Sequence, residues 1–326
     1  MFFYFMKKLF ISPILKVCVF ASILSGCQTV SVLEPGKGVA GSVSTMAVSY
    51  TLNNWMGSVN SSYSISQISI PGTHDSGARF EPVSGTAKCQ NLTIGEQLMA
   101  GTRFLDVRCR HIGNAFAIHH GSIYQNLNFD DVLNACFSFL NANPTESIVM
   151  SVKEEYDPSN NTRTFEQTFD AYVQKNPSQW YLGSGIPTLG QVRGKIVLLR
   201  RFSATATPKG IAATSWADNT TFTITNSDSQ LRVQDSYKVS DNNAKWTSLN
   251  NLFTEAKSGN SSVLYINFAS GYKPLLFGIP SITSVSNSIN PKLTDYFTTN
   301  TLGRYGIIPM DFAESNRNAL IIKTNF

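Results

Sequence analysis

The chain has 326 residues, 42% apolar and 11% aromatic, which fills a sizeable core and excludes a disordered polypeptide. Charged residues make up 14%, against about 25% in a typical soluble domain, and Asn, Ser and Thr fill the gap as they do in many exported proteins. The net charge of +5 is scattered, with no basic run longer than the pairs Lys7-Lys8 and Arg200-Arg201, so a nucleic-acid-binding stripe is excluded.

Lys7 and Lys8 precede an apolar stretch over 9–24, the charged and hydrophobic regions of a signal peptide covering 1–26 rather than a spanning helix. The stretch ends in Leu24-Ser25-Gly26-Cys27, which resembles the lipobox of bacterial lipoproteins. That resemblance implies acylation of Cys27 and membrane anchoring, since acyl chains contribute about 0.8 kcal/mol per buried methylene; the alternative is an ordinary signal that releases a secreted protein. Residues 27–53, rich in Gly, Ser, Val and Thr around Pro35-Gly36, read as a flexible tether. No second tether or repeat follows, so 54–326 is expected to form one domain. Cys89, Cys109 and Cys136 remain in the mature chain without the C-x-x-C spacing that argues for zinc; one disulfide plus a free thiol is open to an exported protein.

Within the domain, short runs rich in Ile, Val, Leu and Phe predict strands at 67–71, 103–108, 115–119, 147–153, 195–200, 231–234, 263–269, 306–311 and 320–323. Most are apolar on both faces, the mark of strands buried from both sides. Helices are predicted at 94–100, 128–141, 164–176 and 293–300; in the second, Phe129, Val132, Leu133, Cys136, Phe139 and Leu140 fall at helical spacing. Strand–helix alternation predicts an α/β fold with a mainly parallel sheet. Polar residues recur at the strand ends: His74 and Asp75, Asp106 and Arg108, His119 and His120, Lys153, Arg201, Asp235 and Tyr237, and Asp311. In a closed parallel barrel these ends converge on one mouth, where such barrels carry out their chemistry.

The segments that hold these residues read ISIPGTHDSG (68–77), FLDVRCR (104–110), AIHHGSIY (117–124), SIVMSVKEEY (147–156), RGKIVLLRRF (193–202), VQDSYKVS (233–240) and YGIIPMDF (305–312). As a set, in this order, they resemble the bacterial phosphatidylinositol-specific phospholipases C, co-linearly from about Trp55 to Asp311. The resemblance implies a TIM-type (β/α) barrel, irregular and incompletely closed. It also implies cleavage of phosphatidylinositol to diacylglycerol and inositol 1,2-cyclic phosphate by attack of the inositol 2-hydroxyl on phosphorus. His74 matches the general base and His120 the general acid, roles that suit a side chain titrating near neutrality. Asp311 matches the carboxylate that orients the base, Asp75 the carboxylate paired with the acid, and Asp106 a supporting acid beside Arg108. Arg108 matches the arginine that stands where eukaryotic relatives hold calcium; its guanidinium can bind phosphate oxygens in two places, so no metal and no cofactor are expected. Lys153, Arg201, Asp235 and Tyr237 match the positions that recognise inositol.

Phosphatidylinositol or a glycosylated form of it in a membrane is therefore the expected partner, and a monomer the expected state. Residues 81–93 lack the rim tryptophan of secreted relatives and contain Cys89 instead. The later apolar stretch 272–279 either touches a bilayer or packs on its own barrel. Two other readings stand beside this one. A metal-dependent glycerophosphodiesterase would need Glu and Asp ligands at strand ends, where Arg108 makes a cation redundant. A non-catalytic surface lipoprotein binding inositol lipids or glycans would have no need of an acid and a base.

Overall fold

A computed structural model of the chain describes residues 29–31 and 48–326. The signal peptide, Cys27 and most of the tether lie outside the described residues. Thr29–Ser31 pairs antiparallel with Ser49–Thr51. Tyr50 is buried and stacks on Phe326 with ring centroids 4.6 Å apart, so the packed body begins a few residues before the boundary drawn at 54.

The main sheet has twelve strands. In chain order these are β1 (Ile70–Thr73), β2 (Phe104–Ile112), β3 (Ala115–His120), β4 (Ile123–Asn128), β5 (Ser147–Glu154), β6 (Trp180–Tyr181), β7 (Lys195–Arg201), β8 (Ile211–Ala212), β9 (Thr221–Thr225), β10 (Gln230–Gln234), β11 (Val263–Asn267) and β12 (Ile307–Met310). The hydrogen-bonded path runs β8-β7-β5-β2-β1-β12-β11-β10-β9. Every pair on it is parallel except β9 with β10. No ladder joins β8 to β9, so the barrel is incompletely closed, as expected; across the opening, Asn226 Nδ2 donates to the Ala212 carbonyl at 2.9 Å.

The strands read as apolar on both faces because two cores claim them. Val149, Val197, Leu199, Leu231, Val233, Leu264, Ile266 and Ile307 fill the barrel interior. Ile148, Met150, Val152, Ile196 and Leu198, one step along, pack outward under helices α2 (Phe129–Ala142) and α3 (Phe165–Val173). These helices follow α1 (Ile94–Met99) and precede the short α4 (Leu189–Val192), α5 (Asn242–Ser258), α6 (Thr283–Thr299) and α7 (Ser315–Lys323).

Three expectations change. The run at 115–119 is not a barrel strand: β3 turns back antiparallel on the second half of β2, because Gly113 and Asn114 both adopt positive φ (57° and 63°) and make a tight hairpin. Residues 320–323 lie in α7, where Ile321 and Ile322 bury the apolar side of a helix rather than a strand. The helix expected at 293–300 begins ten residues earlier, at Thr283, and continues through Pro291. Cys89, Cys109 and Cys136 are all free and buried, so no disulfide joins them. Among the described residues no helix is long and apolar enough to cross a membrane.

Candidate active site

A cavity of about 570 Å³ opens at the C-terminal ends of the barrel strands. His74, Arg108, His120, Lys153, Arg201, Asp235 and Tyr237 all line it, whereas Asp75, Asp106 and Asp311 stand buried behind them. Residues separated by more than two hundred positions thus meet because most sit at or just past the end of a sheet strand, while Asp106 and Arg108 project inward from within the long strand β2.

His74 follows β1 directly and is held from both sides. Its Nδ1 lies 2.8 Å from Asp311 Oδ1 and its Nε2 lies 2.9 Å from Arg108 Nη2. A guanidinium nitrogen can only donate, so Nε2 accepts and the ring proton sits on Nδ1, donated to Asp311. The carboxylate therefore fixes the tautomer that leaves the Nε2 lone pair toward the cavity. Burial works against a charged imidazole here, but the charge and hydrogen bond of Asp311 outweigh it, and the His74 pKa lies above its ordinary value. Asp311 is itself fixed, with Oδ2 accepting the Gly271 amide at 3.3 Å.

The turn after His74 carries strain. Asp75 has φ of 37°, in the left-handed region, and its amide donates to Asp106 Oδ2 at 3.2 Å. Gly77 lets this turn press against β3: a Cβ there would fall 2.5 Å from Ile118 Cγ2. That close approach brings His120, two residues beyond Ile118, beside the turn. His120 Nδ1 donates to the Ala87 carbonyl at 2.6 Å and lies 3.7 Å from Asp75 Oδ2. Asp75 is thus near the second histidine, as expected, but at ion-pair rather than hydrogen-bond distance. The adjacent His119 does not line the cavity; it is buried, with Nδ1 3.3 Å from the Gly121 carbonyl.

Arg108 projects from the middle of β2 and gathers the site's acids. Its Nε donates to Asp106 at 3.2 Å, and its Nη1 lies 3.7 Å from Asp75 and 3.9 Å from Glu155. Burial opposes its charge, but these carboxylates more than restore it. Asp106, desolvated yet flanked by Arg108 and Arg201, is held well below the carboxylate range. Arg201 lies 3.7 Å above the Trp216 ring, and its buried Nε and Nη1 have no hydrogen-bond partner among the described residues. Such a guanidinium is poised to meet hydroxyl or phosphate oxygens of a ligand. Asp235 accepts the Trp216 indole N–H at 2.9 Å, and the Tyr237 hydroxyl donates to Asp218 at 2.6 Å, which pushes its pKa up to about 12.

Sequence reasoning passed over Glu155, Trp216 and Gln90. Glu155 accepts Lys153 Nζ at 2.8 Å and the Gly121 amide at 3.0 Å; despite burial, Arg108 and Lys153 lower its pKa to about 2. Its signal was present, since strand alternation puts it on the same face as Lys153. Gln90 donates from Nε2 to the carbonyls of His74 and Met310, both at 2.8 Å, tying the first and last barrel strands together beneath His74. Trp216 sits in an irregular segment that carries no pattern.

Residues 69–202 match the family model described as phosphatidylinositol-specific phospholipase C, X domain. The chain is 35% identical over 286 residues to a 1-phosphatidylinositol phosphodiesterase of Staphylococcus aureus strain Newman, covering 82% of this chain and 90% of that one. A Listeria monocytogenes protein of the same description is 28% identical over 288 residues, 85% and 86% of the two chains. Among solved structures, a pentafluoro-Phe-substituted phosphatidylinositol-specific phospholipase C from S. aureus superposes with a TM-score of 0.76 at 32% identity, covering 84% of this chain and 97% of that one. The L. monocytogenes enzyme superposes with a TM-score of 0.71 at 25% identity, over 85% and 100% of the chains. An open parallel barrel with two histidines, an arginine and their carboxylates at its mouth, alike in sequence and in structure to these enzymes over most of its length, belongs to the bacterial phosphatidylinositol-specific phospholipase C family.

Proposed function

We propose that the protein cleaves phosphatidylinositol to diacylglycerol and inositol 1,2-cyclic phosphate without a metal ion. The observation that carries this reading is the Asp311–His74–Arg108 line, which sets a basic lone pair beside a fixed cation. His74 Nε2 takes the proton of the inositol 2-hydroxyl, whose oxygen then bonds to phosphorus. The bond from phosphorus to the diacylglycerol oxygen breaks, and His120, with Nδ1 engaged by Ala87, supplies a proton from Nε2 to that oxygen. Arg108 turns from His74 to the phosphate, which frees the lone pair as it neutralises the developing charge. Lys153, Arg201 and Asp235 offer polar groups to the inositol hydroxyls, and Tyr237 offers its ring.

Delivery to a membrane is part of the same reading. Beside the cavity, Leu276 and Phe277 are 83% and 100% exposed, with Lys273 at the base of their loop. Fully exposed large apolar side chains next to a lipid-cleaving site suit insertion into a bilayer. A solved S. aureus enzyme described for its membrane binding superposes with a TM-score of 0.74 at 33% identity. Acylation of Cys27 would hold the enzyme near such a surface, and the substrate is phosphatidylinositol, free or glycosylated.

The two histidine roles separate by leaving group. His120→Ala is expected to lose about 10²–10⁴-fold on phosphatidylinositol, and far less on an inositol phosphodiester whose leaving group departs without a proton. His74→Ala is expected to lose both activities equally. Equal losses from both variants on both substrates would overturn the assignment. Vesicle binding without turnover by the unmodified protein would mark a binding protein instead.

A further inference from the structure

We infer that Asp75, Cys89 and His120 form a binding site for one thiophilic divalent cation, of the chemistry of Zn²⁺, whose occupancy switches catalysis off. The inference rests on the reading of His120 as general acid. Cys89 reaches between the two catalytic pairs, its Sγ 4.0 Å from His120 Nδ1, and the donor atoms of Asp75, Cys89 and His120 all lie within 4.8 Å of one another. A second trio, His74, Cys89 and Asp311, meets the same limit, so the thiol is common to both.

A thiol alone would say little; Asp75 is the independent observation. It is fully buried, and neither carboxylate oxygen has a hydrogen-bond partner among the described residues. Its Oδ2 stops 3.7 Å from His120 Nδ1 and 3.7 Å from Arg108 Nη1, too far for either to satisfy it by a hydrogen bond. A desolvated carboxylate with open lone pairs, a thiol and an imidazole nitrogen therefore surround one small volume. Thiolate with imidazole selects zinc-like ions over calcium and magnesium, which prefer oxygen ligands. Zinc bonds of about 2.3 Å to sulfur and about 2.0–2.1 Å to nitrogen or oxygen, set tetrahedrally, separate ligand atoms by roughly 3.3–3.6 Å. The observed 3.7 and 4.0 Å need contractions of a few tenths of an ångström, and the Asp75–Cys89 separation, which lies within 4.8 Å, one of up to about 1.2 Å.

Binding is simple ligation, with no change of oxidation state. The Cys89 thiol releases its proton to solvent. His120, starting from the doubly protonated form that serves as the acid, releases to solvent the Nδ1 proton now donated to Ala87 and places that lone pair on the metal, keeping its proton on Nε2. An imidazole ligated in this way cannot take up the second proton that makes it an acid, so protonation of the leaving oxygen stops. Chelation returns the site to its starting state.

The test uses the full chain with Zn²⁺ and Co²⁺ as probes, comparing the unmodified protein with Cys89→Ala and Asp75→Asn. In EDTA, Cys89→Ala should cleave phosphatidylinositol as the unmodified protein does. About one equivalent of Zn²⁺ should suppress the unmodified protein at least tenfold, reversibly by EDTA, while Cys89→Ala should need at least tenfold more. Co²⁺ should bind once with a thiolate charge-transfer band, absent from Cys89→Ala and weakened in Asp75→Asn. Equal zinc sensitivity of the unmodified protein and Cys89→Ala, or no stoichiometric ion, overturns the inference. The Co²⁺ band and zinc stoichiometry need no turnover, so they decide the site even if the catalytic reading fails.

Discussion

Replacing Asp311 by Asn tests the arrangement of the base with the least change in shape. The Gly271 amide donates to Asp311 Oδ2 at 3.3 Å, so the new side chain should keep its carbonyl oxygen there and turn its NH₂ toward His74. Nδ1 of His74 must then accept, which moves the ring proton to Nε2. There it meets Arg108 Nη2, another donor, 2.9 Å away, and the lone pair needed for catalysis is lost. Loss of general-base function corresponds to about 10²–10⁴-fold in kcat, or roughly 2.7–5.5 kcal/mol, with little effect on KM. The pH profile carries the sign. His74 acts as base only when neutral, and its raised pKa places the ascending limb of kcat/KM above the ordinary histidine value. In Asp311→Asn the burial and Arg108 effects remain while the opposing carboxylate is gone, so residual activity should ascend at lower pH. Initial rates on phosphatidylinositol vesicles across pH 5–9 measure both effects. A kcat within tenfold of the unmodified protein, or an ascending limb moved to higher pH, would refute the reasoning.

Arg108→Lys retains charge but not the planar fork, and should lower kcat by about 10²–10³-fold, the range for losing one donor to a developing anion; unchanged kcat would remove Arg108 from the chemistry. Ser replacements of Leu276 and Phe277 each forgo about 1.5–3 kcal/mol of burial in lipid, so vesicle sedimentation should show binding weakened roughly ten- to a hundredfold per residue. Hydrolysis of a monomeric short-chain substrate should not change, and a parallel loss there would place the loop in the site. At the opposite end of the barrel, Arg103 and Glu146 form a fully buried pair at 2.8 Å. Glu146→Gln leaves the guanidinium uncompensated and should cost about 3–5 kcal/mol in urea unfolding, with activity per folded molecule preserved; a cost below about 1 kcal/mol would contradict the pairing.

The open parallel barrel and the residues that line its cavity were both legible in the sequence, and the bounds of individual strands and helices less so. Most of the cavity's polar side chains sit in short motifs at strand ends, where an abrupt change from apolar to polar marks both the strand and the site; Asp106 and Arg108 instead lie within β2, whose continuation to Ile112 the sequence does not announce. His120 lines the cavity although its strand is not a barrel strand: β3 is apolar enough to pass for one, and the Gly113-Asn114 turn is the local signal that makes it a hairpin. Helix α5 escaped because its Asn-, Ser- and Thr-rich surface dilutes the apolar stripe of Leu249, Leu252, Phe253 and Ala256. Gln90 and Trp216 act through partners distant in sequence, and no local pattern announces such contacts. The same holds for Cys89, whose spacing argues against a metal while its place between two histidines argues for one.

The most direct measurement is phosphorus NMR of phosphatidylinositol vesicles treated with the protein in excess EDTA, alongside its His74→Ala variant. The proposed mechanism predicts a resonance of inositol 1,2-cyclic phosphate that grows with the unmodified protein and not with the variant. Turnover that disappears in EDTA, or a product lacking the cyclic diester, would contradict it.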